Sequence, residues 1–348
     1  MNLGLIPRFN LDYSFGDLIF GLRSIFSDNI DLKSLEKIFG KKVFLFTNFG
    51  RTSLYVILKA LGIQKGSIGV PLYSCPVVFD AITKAGYRPV FIDIDIENYT
   101  LDPYDLDKKI NKLDAVIVIH TFGRPADMDE IEKIANGLPI IEDCAHSLLS
   151  EYKGKVTGTI GDASFFSLSK YVSAGGGGMA IINSNDIADK AIEVMKSLKE
   201  FSLFKEIAHL GLSYARSFLY QRPWFGLVTL PIGSALENKI DLMNKRTFKI
   251  SRIAKSDLQI FLRKINDMKM KIERQRRNSF YLINELRDTG IKLPLENNKT
   301  YCNYYLFPLV FENKKIRDKI SNYLRENGID TAKLYSEVPA KARRFYGY

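Results

Sequence analysis

Asp143, Lys170 and the turn Gly50-Arg51-Thr52-Ser53 are the residues of this 348-residue chain whose types and spacing could do chemistry. The apolar run Pro139-Ile140-Ile141 ends at Glu142-Asp143. Ligands of open α/β sheets sit at the carboxyl ends of strands, so the Asp143 carboxylate stands where a ligand would be met. An exposed acid that merely ends a strand would read the same way. Lys170 lies between hydroxyl residues and the run Gly175 to Gly178, in a largely uncharged segment. That context predicts a partly buried lysine with a lowered pKa, nucleophilic toward carbonyls. The glycine run has neither the spacing of GxGxxG nor a following Lys-Ser/Thr, so dinucleotide and P-loop readings fail and a tight backbone bend is expected. Gly50 follows an apolar run and opens a helical stretch, whose free N–H groups and positive dipole end suit a phosphate.

The elements that must position these residues alternate. From Val43 to Asn183, short apolar runs (Val43 to Phe46, Ile68 to Val70, Pro89 to Ile92, Ala115 to Ile119, Pro139 to Ile141) are separated by helical stretches near Thr52 to Leu61, Val77 to Ala85, Tyr104 to Ile110 and Met128 to Ala135. Unbroken apolar strands of this kind belong to a parallel sheet covered on both faces. Farther on, Ile250, Ala254, Leu258, Phe261, Ile265, Met268 and Ile272 recur at helical spacing, which predicts one long amphipathic helix. Tyr304 to Val310 reads as a strand and Ile316 to Glu326 as a helix, an order that suits a smaller α+β domain. The expected division is an N-terminal segment 1–30, a large α/β domain 31–240 and a smaller C-terminal α+β domain with the long basic helix, 241–348.

A phosphate cradle, a strand-end aspartate and a lysine 27 positions beyond it are the parts a pyridoxal phosphate site requires. The cofactor is an electron sink whose pyridine nitrogen is kept protonated by a carboxylate and whose aldehyde is held by a lysine. With these parts in place, the chain resembles the DegT/DnrJ/EryC1/StrS family of sugar-nucleotide aminotransferases, fold-type I pyridoxal-phosphate enzymes. FGRTSL, VPLYSCP, PVFIDIDIENYTLD, VIVIHTFGRPADMDEI, IEDCAHS, GTIGDASFFSLSK and GGGGMAI follow one another in the family's order, over a resemblance running from about Phe44 to Tyr335.

The resemblance implies a fold-type I transferase with a large, mainly parallel α/β domain. Lys170 would bond the cofactor aldehyde and then act as the base that moves the proton. Asp143 would pair with the pyridinium nitrogen, and His146, where the family often has glutamine, would lie against the ring or its 3-oxygen. Backbone groups of Gly50, Arg51 and Thr52, with the hydroxyls of Thr52, Ser53 and Ser167, would hold the phosphate, and Tyr73 or Cys75 would cover the ring. It further implies a nucleotide-sugar substrate, an amino-acid donor such as L-glutamate, a role in surface polysaccharide or glycan biosynthesis, and a homodimer with shared active sites. Three departures stand out. Phe165 replaces a serine common five positions before the lysine, KRTFKISRIAKSDL offers no match to a partner-subunit asparagine, and the family usually continues beyond LYSEVPA, so the small domain is expected to be incomplete. Two alternatives follow: a sugar dehydratase, which the lysine disfavours because dehydrating relatives carry histidine there, and a truncated, non-catalytic relative acting as a binding or surface-associated protein.

Composition narrows the remaining classes. The chain is 46% hydrophobic and 26% charged, an ordinary globular balance. No apolar run approaches the ~18 residues of a membrane span, and the N-terminus does not read as a signal peptide, so a cytoplasmic protein is expected. Cys75, Cys144 and Cys302 are too scattered for a disulfide framework, and no metal is expected. The charge is +11, and Lys245 to Arg277 holds twelve basic residues against three acidic. Without a binding motif this does not indicate nucleic acid; a solvated face is the default. Phe218 to Ile232, FLYQRPWFGLVTLPI, reads as a dimer contact or a weak membrane-surface patch.

Overall fold

The computed structural model describes residues 4–8, 11–27, 29–172, 175–237 and 248–348. The expected domain boundary at 240–241 and the first residues of KRTFKISRIAKSDL lie outside them. Seven strands form the main sheet: β1 (Val43–Thr47), β2 (Ser67–Pro71), β3 (Arg88–Ile92), β4 (Ala115–Ile119), β5 (Ile140–Asp143), β8 (Ala163–Ser167) and β9 (Gly178–Ile182). Between β5 and β8 run the short strands β6 (Glu151–Tyr152) and β7 (Lys155–Val156), and β10 (Thr300–Tyr301) joins them in a three-stranded sheet. The main order is β1-β9-β8-β5-β4-β2-β3. Only β9 runs against the others, pairing antiparallel with β1 and with β8. This is the large, mainly parallel α/β architecture expected.

Alternate residues along each strand feed opposite faces. Ile117, Ile119, Phe165, Ala180 and Ile182 join one core with helices Gly50–Ala60, Pro76–Ala85 and Asn185–Lys196. Phe166, Met179 and Ile181 join a second core with Leu258, Phe261 and Ile265, while Val116 and Val118 pack with Met128 and Ile131 in a third. Both faces are therefore covered, as the continuous apolar runs require.

Two expectations are corrected. The helix expected from Ile250 to Ile272 begins only at Lys255, is interrupted by a 3-10 turn at Ile265–Asp267, and continues to Leu286. Ser251 and Arg252 are instead extended, bridging to Lys199 and Thr47. The expected strand Tyr304 to Val310 does not form. Asn303 Oδ1 accepts the Tyr305 N–H at 2.8 Å, a side-chain turn that places Tyr304 at φ 51° and breaks the extended run. Helix Lys314–Glu326 forms as expected, and a last helix, Val338–Phe345, packs against Pro76–Ala85.

Candidate active site

The residues singled out for chemistry gather at the carboxyl edge of the sheet. Asp143 ends β5 and is 5% exposed, its Oδ1 accepting the Ala145 N–H at 2.9 Å. Burial pushes its carboxyl above the usual range, against the pull of the Lys170 ammonium and the Ala145 amide. Lys170 ends the 3-10 turn Leu168–Lys170 directly after β8. Burial draws its half-buried ammonium below the ordinary lysine value, with Asp143 opposing. Since β5 and β8 are parallel neighbours with Asp143 opposite Phe165, residues far apart in sequence share one patch.

His146 is buried beside them. Its Nδ1 accepts the Phe122 N–H at 3.3 Å, which leaves the ring proton on Nε2. Burial, then the nearby Lys170 ammonium, pushes its pKa well below the ordinary histidine value, so the ring is neutral at pH 7. It stacks on Phe122 (centroids 6.3 Å apart) and on Tyr305 (4.9 Å apart, rings inclined by 20°). Tyr305 also lies with its centroid 6.0 Å from Lys170 Nζ and 5.0 Å from the Tyr171 ring. Tyr73 meets Tyr335 edge-on at 5.0 Å, and Cys75, at the start of helix Pro76–Ala85, lies close enough to act electrostatically on both Lys170 and Tyr335. Tyr73 and Cys75 thus both border the patch. Tyr171, Tyr305 and Tyr335 were missed by sequence reasoning; the tyrosine pair after Asn303 was the available signal, read instead as strand.

The turn at Gly50 is built by close backbone approach. A Cβ on Gly50 would lie 3.0 Å from the Phe166 carbonyl oxygen and 3.4 Å from Ser167 Cα, so the helix start is pressed against Ser167. The hydroxyls of Thr52 and Ser53 turn inward: Thr52 Oγ1 donates to Asn48 Oδ1 at 2.7 Å, and Ser53 Oγ is bonded to Thr47 Oγ1 at 2.8 Å. Their N–H groups already donate to the Phe49 carbonyl at 2.9 and 3.1 Å. The Arg51 guanidinium lies over the rings of Phe49 and Phe248, 4.9 and 4.8 Å from their centroids. What this turn presents at the sheet edge is the helix start beside the half-buried Ser167. Phe165, at the position of the family's serine, is buried in the core.

Glu142, one residue before Asp143, faces the other side of the sheet. Its Oε2 accepts from His120 Nε2 at 2.9 Å and from the Gly158 N–H at 2.8 Å, and its Oε1 accepts the Ile160 and Gly161 N–H groups at 2.8 Å each. Burial alone would raise its pKa, but His120 and the amides hold it below the ordinary range. His120 Nδ1 accepts the Ala126 N–H at 3.1 Å. Cys144 is near enough to complete a three-residue ligand set with His120 and Glu142, yet these hydrogen bonds already occupy the histidine nitrogens and the carboxylate.

A doubly covered sheet with a lysine and a buried carboxylate at its carboxyl edge defines the class, a fold-type I α/β protein. The model of the DegT/DnrJ/EryC1/StrS aminotransferase family matches residues 33–214, more than half the chain, and the chain belongs to that family. It is 38% identical over 149 residues to GDP-perosamine synthase of Escherichia coli O157:H7, a stretch covering 41% of each protein, so the match spans well under half that relative's length. It is 26% identical over 294 residues to GDP-perosamine synthase of Vibrio cholerae, covering 82% of this chain and 70% of that one. The fold matches Spr1654 from Streptococcus pneumoniae, solved in its PLP form, with a TM-score of 0.77 at 17% identity, covering 99% of this chain and 88% of that one.

Proposed function

We propose that this chain is a pyridoxal-phosphate-dependent aminotransferase that moves an amino group, from L-glutamate, to a keto carbon of a nucleotide-activated sugar for polysaccharide or glycan assembly, working as a cytoplasmic homodimer. The observation that carries this reading is the pairing of desolvated Lys170 with buried Asp143 beside the Gly50–Ser167 turn. Two relatives named GDP-perosamine synthase support the nucleotide-sugar substrate.

The residues fit the cofactor. Asp143 is a buried carboxylate for a ring nitrogen, His146 is a flat neutral ring for stacking, and the helix start at Gly50, beside Ser167 at the sheet edge, suits a phosphate. When bound, pyridoxal phosphate supplies an electron sink that lets a proton leave the carbon bearing the amine. Lys170, its pKa drawn below the ordinary lysine value by burial, gives up its proton more readily than an exposed lysine, and its neutral Nζ would be the base that takes the proton leaving that carbon. Asp143, whose burial disfavours an unpaired charge, would take a cationic ring nitrogen as its partner and so favour that nitrogen's protonated form. His146, with its proton on Nε2, offers a hydrogen-bond donor without adding positive charge next to Lys170. The rings of Phe122, Tyr73 and Tyr335, packed edge to face, form an aromatic wall along this edge.

The test is the visible absorption of purified protein with added pyridoxal phosphate, before and after L-glutamate. A band that depends on Lys170, is absent in Lys170→Ala, and is bleached by glutamate is expected. Loss of the proton-moving group should slow turnover by about 10²–10⁴-fold. No band at saturating cofactor would overturn the enzyme reading.

A further inference from the structure

Helix Leu203–Leu219 is amphipathic in the wrong sense for a helix in water. The residues it buries are Glu206, Leu210, Ser213 and Ser217, spaced by three or four, and three of the four are polar. Glu206 Oε1 accepts the Ser256 N–H at 2.7 Å, Ser213 Oγ donates to the His209 carbonyl at 2.8 Å, and Ser217 Oγ donates to the Leu11 carbonyl at 2.6 Å while accepting the Tyr13 N–H at 3.1 Å. Those bonds to Ser256, Leu11 and Tyr13 fix which side faces the protein. The solvent side carries Phe204 at 81% and Leu212 at 71% exposure, with Leu203, Ile207 and Phe218 also exposed. A surface helix ordinarily shows the reverse pattern. Trp224, 40% exposed, extends the apolar surface through its ring contact with Phe218, centroids 5.9 Å apart.

The exposed charge within segment 201–233 has one sign, and the exposed acids beside it, Glu200 and Asp12, are already paired with Arg252 and Lys271. Lys205, Arg216 and Arg222 are exposed, and the only acid between residues 201 and 233 is Glu206, which is buried. We propose that this face docks on an anionic phospholipid surface. A second copy packed on it about a two-fold axis would set these cations against their own equivalents with no exposed acid of the segment to meet them. An anionic bilayer supplies the missing negative charge and a headgroup boundary into which Phe204 and Leu212 insert. No helix among the described residues is long and apolar enough to cross a membrane, so the contact is one of lying on the surface. The docking does not depend on the reaction proposed above.

Trp224 is the chain's one tryptophan and reports from inside the face. The full chain is titrated with vesicles of phosphatidylcholine, with and without phosphatidylglycerol. Expected are a blue-shifted emission and co-sedimentation with the anionic vesicles, weakened by salt. Phe204→Ser with Leu212→Ser should weaken partition by about tenfold or more, and Lys205→Gln, Arg216→Gln and Arg222→Gln together should remove the preference for the anionic lipid, about fivefold per charge. Absence of shift and sedimentation, or equal binding to both vesicles, would overturn the proposal. So would light scattering showing that Phe204→Ser with Leu212→Ser turns a dimer into a monomer, because the face would then belong to a second copy.

Discussion

Glu142 and Asp143 are consecutive carboxylates on one strand with opposite fates. Asp143 faces the site and burial raises its pKa; Glu142 faces away, collects three amides and a histidine, and is held charged. Glu142→Gln puts an amide NH₂ where N–H donors now point. We expect it to destabilise the fold by about 3 kcal/mol, read as a lower urea midpoint. The pH dependence has a definite sign. A carboxyl with a depressed folded pKa contributes stability in full above its unfolded value, about 4.3 for glutamate, and loses it as the pH falls through the folded value. The glutamine variant should therefore lose less stability than wild type across that acid window. An unchanged midpoint would mean that the loop Gly158–Gly161 holds itself. Asp143 and Lys170 were legible in sequence because a strand end and a hydroxyl-rich, uncharged context are local signals. Glu142 was not, because its donors arrive from 16 to 19 residues away.

At the scale of elements, the strands were legible because apolar runs record burial on both faces, while the reversal of β9 was not, since direction leaves no mark on composition. The reversed strand enters through a close approach that only glycine permits. Gly178 starts β9 between Thr47 of β1 and Ser167 of β8, and a Cβ there would run into the Phe49 carbonyl carbon and the Gly50 nitrogen. The bend expected of Gly175 to Gly178 is real, with Gly175 and Gly177 at φ 76° and 98°. Its last glycine also lets β9 enter beside the first turn of helix Gly50–Ala60. Gly178→Ala meets backbone, which cannot swing aside as a side chain can. We expect a loss of about 1–3 kcal/mol in thermal or urea unfolding together with weaker binding of pyridoxal phosphate in a titration, because the displaced atoms are those of the Gly50 turn. Wild-type cofactor affinity in this variant would show that the turn does not hold the phosphate. The failed strand at Tyr304 to Val310 is the complementary lesson: its apolar spacing was right, but the Asn303 side chain captured the Tyr305 amide before any sheet could.

The C-terminal region was read from sequence as part of a smaller domain, and the last helix shows what such a reading could not see. Val338, Ala342 and Tyr346 recur every four residues, too short a stretch to announce a partner, yet all three are buried in the core built on helices Gly50–Ala60 and Pro76–Ala85. Tyr346 Oη donates to Asp80 Oδ1, and Tyr346 also packs edge-on against Phe79, centroids 5.4 Å apart. Asp80 is buried, and its Oδ2 has no hydrogen-bond partner among the described residues, so the tyrosine is the link that compensates its burial. Tyr346→Phe keeps the ring packing and removes only that donor, which should cost about 1–3 kcal/mol. How the cost appears distinguishes two organisations of the molecule. If the last helix unfolds with the large sheet, the variant shifts one cooperative transition seen equally by far-ultraviolet circular dichroism and by Trp224 fluorescence. If it belongs to an independent C-terminal unit, an early transition moves while the main one stays in place. A double-mutant cycle with Asp80→Ala separates the pair from the packing: a coupling of about 0.5–3 kcal/mol is expected for residues in direct contact. A coupling near zero would leave the Phe79 contact, and the cores it joins, as what fastens the chain's end to the sheet.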